Sequence, residues 1–147
     1  MLLALAAGCT QSESRQAEVA RKGGDVMPFD LDRTTHVFAK RPFGGVQTVL
    51  ADDPADERQV SLVREHLSKE EAAFSRGDFA DPAAIHGHAM PGLESLRAGA
   101  GWIDLAYAEV DGGARLTYRT AEPKLVAALH AWFDAQVMDH GEDAEIG

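Results

Sequence analysis

The sequence lacks any long apolar run and is poor in basic residues. Nowhere does it contain the ~18 consecutive apolar residues that a membrane-spanning helix needs. Fourteen Lys and Arg stand against 24 Asp and Glu, which gives a formal net charge of −10. Because binding to phosphate requires a basic face, this charge argues against a nucleic-acid partner. It favours a metal cation or a basic partner.

Cysteine is nearly absent, and the position of the single Cys9 is informative. Met1–Cys9 is an apolar run that ends in small residues immediately before Cys9, as in the lipobox of bacterial lipoproteins. This pattern predicts a signal segment over residues 1–8 and a lipid anchor on Cys9. Thr10 follows, which favours the outer membrane, with the protein on the periplasmic face of the envelope. The membrane would then be a partner through the lipid.

Two features depart from a complete signal peptide. No Lys or Arg precedes the apolar run, and the run is shorter than the usual ~7–15 residues. We therefore expect a truncated signal whose true start lies upstream. The alternative is a cytoplasmic protein with an apolar N-terminus that starts at Met27.

Residues 9–26 have the composition of a flexible tether. Thr10–Asp25 is rich in Gln, Ser, Glu, Arg, Lys and Gly and has almost no bulky apolar residue, so little surface is available for burial. The remaining residues, 27–147, suffice for a single domain.

One pattern occurs twice in residues 27–147. Strands at Thr35–Phe38 and Val46–Leu50 flank a glycine turn, and a helix follows from Asp53-Pro54 to about Gly77. The second occurrence has strands around Ile103–Tyr107 and Leu116–Tyr118, and a helix that opens at Glu122-Pro123. The apolar stripe of that helix contains Val126, Leu129, Trp132, Phe133 and Val137. We predict an α+β domain with a tandem ββα–ββα repeat, in which one antiparallel sheet carries both helices on one face.

The long connection Gly77–Ala100 contains a candidate metal-binding motif. Such a segment is usually functional or partly helical. His86, His88 and Met90 at its centre provide two imidazoles and a thioether. Two imidazoles with a soft sulfur favour copper, whereas imidazoles with carboxylates suit zinc. The alternative is a solvated loop with Met90 packed in the core.

His130 and Asp134 on the second helix are the other candidate ligands. They stand at i and i+4 and share a helix face, so both could bind an ion, or Asp134 could orient His130. The alternative is a boundary histidine beside an acid. His140 is ten residues beyond His130, about 15 Å along a continuous helix, so it would take part only if the helix ended near Met138 or if a second site existed.

The sequence also predicts where the other histidines and the acidic C-terminal segment lie. His36 on the first strand fits either cross-strand packing or the same cleft as the loop. We expect His66 at the surface, and the segment Asp139–Asp143 as a solvated acidic terminus, with loose capture of a cation as the alternative.

Three segments of the sequence resemble an uncharacterised family of small proteobacterial lipoproteins. The resemblance rests on His36-Val-Phe38, on His86-Gly-x-x-Met90-Pro-Gly-Leu93 and on Leu129–Gln136. Members sometimes carry the label aspartate carbamoyltransferase, but that enzyme has two α/β domains and a Ser-Thr-Arg-Thr motif that this sequence lacks. The predicted architecture is also similar to the copper lipoprotein accessory to nitrous oxide reductase, without its Cys- and Met-containing copper motif.

Three functions fit the sequence. The first is an envelope lipoprotein that binds or delivers copper or zinc, with an envelope protein as a further partner. The second is an interaction module without a metal, and the third is a metal-dependent hydrolase with an open coordination position. No nucleophile elbow, P-loop or Rossmann glycine pattern occurs, so the sequence assigns no enzyme class.

Overall fold

The computed structural model describes residues 7–147, with side chains from Ser12 onward. The predicted signal segment, residues 1–8, and the side chain of Cys9 therefore lie outside the described side chains. Five strands form one sheet: β1 (Thr34–Arg41), β2 (Gly44–Ala51), β3 (Asp104–Val110), β4 (Gly113–Arg119) and β5 (Ala144–Ile146). The five α-helices of the described residues are α1 (Ala7–Val26), α2 (Glu57–Ser75), α3 (Ala80–His86), α4 (Leu93–Ala98) and α5 (Pro123–His140). The predicted α+β class is confirmed.

The sheet is mixed rather than purely antiparallel. Its order is β3-β4-β2-β1-β5, and the first four strands pair antiparallel. The short β5 pairs in parallel with β1, with His36 opposite Ala144. The prediction of an antiparallel sheet was wrong at this edge, because the chain after α5 has no alternating pattern and only the tertiary fold brings it beside β1.

Alternation along the strands gives the sheet one buried face. Phe38, Val49, Leu116 and Tyr118 are almost fully buried, and α2 and α5 lie over this face. Leu129, Trp132 and Phe133 of α5 have at most 1% exposure, as the apolar stripe predicted. The hydrophobic core therefore lies between α5, α2 and the sheet.

Local signals determine where the long helices begin. Asp56 accepts a hydrogen bond from the backbone N–H of Gln59 and caps α2, three residues later than the predicted Asp53. Pro123 occupies the first turn of α5, as predicted. The connection between Gly77 and Ala100 is partly helical, since it contains α3 and α4.

The segment predicted to be a flexible tether is helical. Thr10–Asp25 lies within α1, which packs against α3 and α5. The side chain of Val19 is buried, and Arg15 forms hydrogen bonds with groups on both of these helices. Composition predicted a coil because it records little apolar surface, whereas these tertiary contacts stabilise the helix.

Within the described part of the chain, no helix has both the length and the apolar character required to cross a bilayer.

Candidate functional site

The sequence-predicted ligands do not meet in one place. His86 is buried at the end of α3, His88 is exposed just beyond it, and Met90 is packed in the hydrophobic core. The Nε2 atom of His130 lies 2.9 Å from the carbonyl oxygens of Arg41 and Gly44. His130 therefore contacts the turn between β1 and β2.

Asp134, the remaining predicted ligand, forms an ion pair with a lysine. A carboxylate oxygen of Asp134 lies 2.7 Å from Nζ of Lys40, on the surface. His86 instead packs against His140, with ring centroids 4.9 Å apart. Since His140 is about 15 Å beyond His130 along the axis of α5, His86 and His130 contact different ends of that helix. The structure does not bring His86, His88, Met90, His130 and Asp134 together.

A different set of histidines is gathered in the interior. Four of the six histidines in the chain are buried: His36, His66, His86 and His140. His66 was expected at the surface, and Asp139 and His140 in a solvated terminus, so these predictions were wrong. The cause is tertiary: Phe29 covers His66, and the end of α5 is enclosed by α1, α3 and the sheet edge.

His86 is held in one orientation by Asp139. Its Nδ1 lies 2.9 Å from Oδ2 of Asp139. Arg15 donates to both carboxylate oxygens of Asp139, at 3.0 and 2.8 Å, and to the backbone carbonyl of His86 at 2.9 Å. Burial lowers the pKa of His86, and the bond to Asp139 opposes this only in part. A neutral His86 thus donates its Nδ1–H to an ionised Asp139.

Burial tends to raise the pKa of Asp139, but hydrogen bonds from Arg15 and His86 outweigh it and lower that pKa. The lowered pKa values of His86 and Asp139 agree with each other, because an ionised carboxylate accepts hydrogen bonds from both Arg15 and a neutral His86. The contact therefore combines an ion pair between Arg15 and Asp139 with a charge-assisted hydrogen bond from His86.

His36 and His140 stack on each other beside His86. Their ring centroids are 5.2 Å apart with an interplanar angle of 7°, and the ring of His86 meets His140 edge-on at 82°. Burial, with smaller contributions from His66 and His86, lowers the pKa of His36 to about 4. Burial likewise places the pKa of His140 well below its usual range. Both rings are neutral at pH 7, and their parallel planes do not favour binding one ion between them.

A small cavity adjoins these rings. Its volume is about 10 Å³, close to the space of one water molecule. Two buried polar atoms near it, Nδ1 of His36 and Nε1 of Trp132, have no hydrogen-bond partner within the described structure. Polar side chains lining the cavity are His36, Gln47, Glu70, His86, Gln136 and His140. Because buried polar groups usually have partners, this arrangement marks the interior as a candidate functional region.

The outer side of this region contains a group with the arrangement of metal ligands. Three possible ligand atoms lie within 4.8 Å of one another, one each from His66, Glu70 and Asp81. His66 and Glu70 are buried at i and i+4 on α2, with Nε2 and Oε1 3.0 Å apart, whereas Asp81 comes from α3 and is exposed. Burial tends to lower the pKa of His66, but Glu70 and Asp81 outweigh it and raise that pKa.

Sequence reasoning missed this group for a specific reason. The i, i+4 spacing of His66 and Glu70 was visible, but His66 was assigned to the surface. The signal for Asp81 was weaker, because its position beside His66 depends on the turn at Gly77 between α2 and α3, where φ is +78°.

The fold and site define an α+β domain with helices on one face of a five-stranded mixed sheet and a buried cluster of histidines next to a His-Glu-Asp group. No protein-family model matches the chain, and neither the curated proteins nor the solved structures contain a significant match to it.

Proposed function

We propose that this protein is an envelope lipoprotein that binds a divalent metal ion, preferably zinc, through His66, Glu70 and Asp81. The observation that carries the proposal is the proximity of the three ligand atoms, all within 4.8 Å of one another. Two ligands bound to one ion at ~2.0–2.2 Å lie at most ~4.4 Å apart, so the three side chains would close slightly around the ion.

The chemistry of the three donors favours zinc over copper. Zinc accepts imidazole nitrogen together with carboxylate oxygen, whereas copper(I) prefers thiolate or thioether sulfur. The thioether that favoured copper in the sequence belongs to Met90, which is packed in the hydrophobic core. The burial of His66 and Glu70 supports the proposal, because a cation would neutralise the carboxylate in a region poor in water.

Three protein ligands leave room for a fourth from outside the chain, which suits reversible binding or delivery of the ion. Metal binding would displace the proton that His66 shares with Glu70, since a ligating imidazole must be neutral. The lipid anchor on Cys9, the periplasmic location and the relation to small proteobacterial lipoproteins remain predictions from the sequence. In this proposal the anchor keeps the domain at the membrane.

Isothermal titration calorimetry tests the proposal. Zn²⁺ is titrated into the metal-free chain carrying Cys9→Ser, which removes the thiol as an alternative ligand. Asp81→Asn is the most informative variant, because Asp81 is exposed and its replacement leaves the core intact. We expect it to weaken binding about tenfold or more, and His66→Ala and Glu70→Gln to weaken it further.

Two controls use the residues that the sequence had favoured. Asp134→Asn removes an exposed carboxylate, and His88→Ala removes an exposed imidazole. Both variants should bind Zn²⁺ like the parent chain. Equal loss in Asp134→Asn and Asp81→Asn, or no effect of any variant, would contradict the assignment to His66, Glu70 and Asp81.

A further inference from the structure

A groove on the face of α2 opposite His66 and Glu70 shares no residue with the proposed metal site. It runs between α2 and β3, with a volume of about 950 Å³. Val60 and Ser61 of α2 line one wall, and Tyr107 and Glu109 of β3 line the other. Because β3 lies at the end of the strand order and, among residues 7–147, pairs only with β4, one side of its backbone is unpaired within this part of the chain.

The register shows which side chains of β3 face the groove. Tyr107 pairs with Leu116 and Glu109 with Ala114, and both partners are buried beneath the helices. Directly paired residues share a sheet face, so Tyr107 and Glu109 point toward α2. Ala106 and Ala108 point to the opposite face, where their small side chains leave space beside the edge.

The groove carries more acidic than basic side chains. Four carboxylates line it, from Glu57, Glu65, Glu109 and Asp111, together with one guanidinium from Arg64. The guanidinium is already engaged: it donates to the backbone carbonyls of Gly113 and Val110, each at 3.0 Å, and lies 3.5 Å from Glu109. Oε1 of Glu65 in turn lies 2.7 Å from Nζ of Lys69, so two cations offset the four carboxylates and the groove keeps a net negative charge.

We propose that β3 and this groove bind an extended protein segment that carries Lys or Arg at every second position. The segment would add a sixth strand beside β3 through backbone hydrogen bonds. Successive side chains of a strand point to opposite faces, so alternate residues would enter the groove and meet the four carboxylates. A second copy of this chain fits poorly, because its β3 carries no Lys or Arg to meet the four carboxylates.

Fluorescence anisotropy with labelled peptides tests the proposal on the full chain carrying Cys9→Ser. The first probe is a ten-residue peptide of alternating Thr and Lys, and the second replaces each Lys by Glu. We expect only the basic peptide to bind, with an affinity that falls as salt is raised from 50 to 500 mM, as screening shortens the Debye length. Equal binding of the acidic and basic peptides would overturn the proposal.

Charge reversal localises the binding. Glu65→Lys and Glu109→Lys lie in the groove, and Glu122→Lys changes the net charge equally at an exposed position at the start of α5. We expect the two groove variants each to weaken binding about tenfold and the control to weaken it far less. Glu65→Lys keeps the test valid even if Glu109→Lys perturbs the turn held by Arg64. Similar losses in all three variants would show attraction to the net charge alone, which contradicts a groove site.

Strand addition has its own test. A version of the basic peptide with N-methyl groups on alternate residues keeps the charge but cannot donate along one edge. Two such peptides are needed, one methylated at the odd positions and one at the even positions. The peptide whose N-methyl groups point toward β3 should lose binding. The parent peptide should also slow amide exchange across residues 104–110. Full binding by both methylated peptides would overturn strand addition.

Discussion

Asp139 at the end of α5 accepts a hydrogen bond from His86 at the end of α3, with Oδ2 and Nδ1 2.9 Å apart although 53 positions separate the residues. Arg15 on α1 donates to the same carboxylate. This contact joins three helices, and it orients an imidazole beside the buried His36 and His140.

Removing Asp139 should destabilise the domain. Asp139→Ala leaves the buried Nδ1–H of His86 and the guanidinium of Arg15 without their acceptor, which costs about 1–3 kcal/mol in the free energy of unfolding. Asp134→Ala is the control, because it breaks only the surface ion pair with Lys40 and should cost less than about 1 kcal/mol. Urea denaturation at pH 7.5 measures both. Equal values would contradict a structural role for the buried carboxylate.

The stability of the protein should fall as the solution becomes mildly acidic. The pKa of His36 is about 4 in the fold and ~6.5 in the unfolded chain, so below pH ~6.5 the unfolded chain takes up the proton first. The contribution of His36 is present in full above that pH and is lost progressively toward pH 4. Between pH 7.5 and 5 it amounts to about 2 kcal/mol. His140, whose pKa is also depressed, adds in the same direction.

Comparison with a variant isolates this effect of His36. His66 has a raised pKa and acts in the opposite sense, since its stabilisation is present at low pH and lost as pH rises. Urea denaturation of the parent chain and of His36→Gln at several pH values separates the contributions, and His88→Gln serves as an exposed control. The parent and His88→Gln should share one pH slope, and His36→Gln should be flatter. Identical slopes in all three proteins would contradict the assignment of a neutral buried His36.

Gly92 should tolerate no side chain. Its φ is +78°, and a Cβ atom there would overlap the backbone carbonyl of Ala128 on α5. We expect Gly92→Ala to cost more than about 1–2 kcal/mol, since the left-handed backbone alone costs that much. Gly101→Ala is the matched control, because its φ is ordinary and nothing lies within 4 Å of the added atom. Thermal unfolding should show a lower Tm only for Gly92→Ala, and an unchanged Tm there would argue against the close packing of the central connection on α5.

The lipid anchor is testable in cells. A chain with a basic segment added before Met1 should partition with membranes and incorporate labelled palmitate, because the lipobox pattern directs acylation to Cys9. Cys9→Ser should abolish the labelling and release the protein into the soluble fraction. Retention of Cys9→Ser in the membrane fraction, with the exposed Ser14→Ala as the control, would show that another feature holds the protein there.

Much of the fold could be predicted because it depends on local patterns. Alternating apolar residues predicted both hairpins, and Pro123 with the stripe through Leu129 and Phe133 predicted α5. The site could not be predicted in the same way. His86 and His130 were expected to meet because the central connection was expected to pack over the N-terminal half of α5, but their contacts lie about two to three turns apart along that helix.

The sequence by itself determined the α+β class, the positions of the two hairpins and the faces of the long helices, because hydrophobic periodicity and turn residues act over short distances along the chain. Only the tertiary structure decided that Thr10–Asp25 is helical, that β5 joins β1 in parallel and that His36, His66, His86 and His140 are buried. A histidine is as compatible with water as with an apolar interior when it is neutral and hydrogen-bonded. Its burial therefore depends on which distant segments close over it, such as α1 through Arg15 and α5 through Asp139.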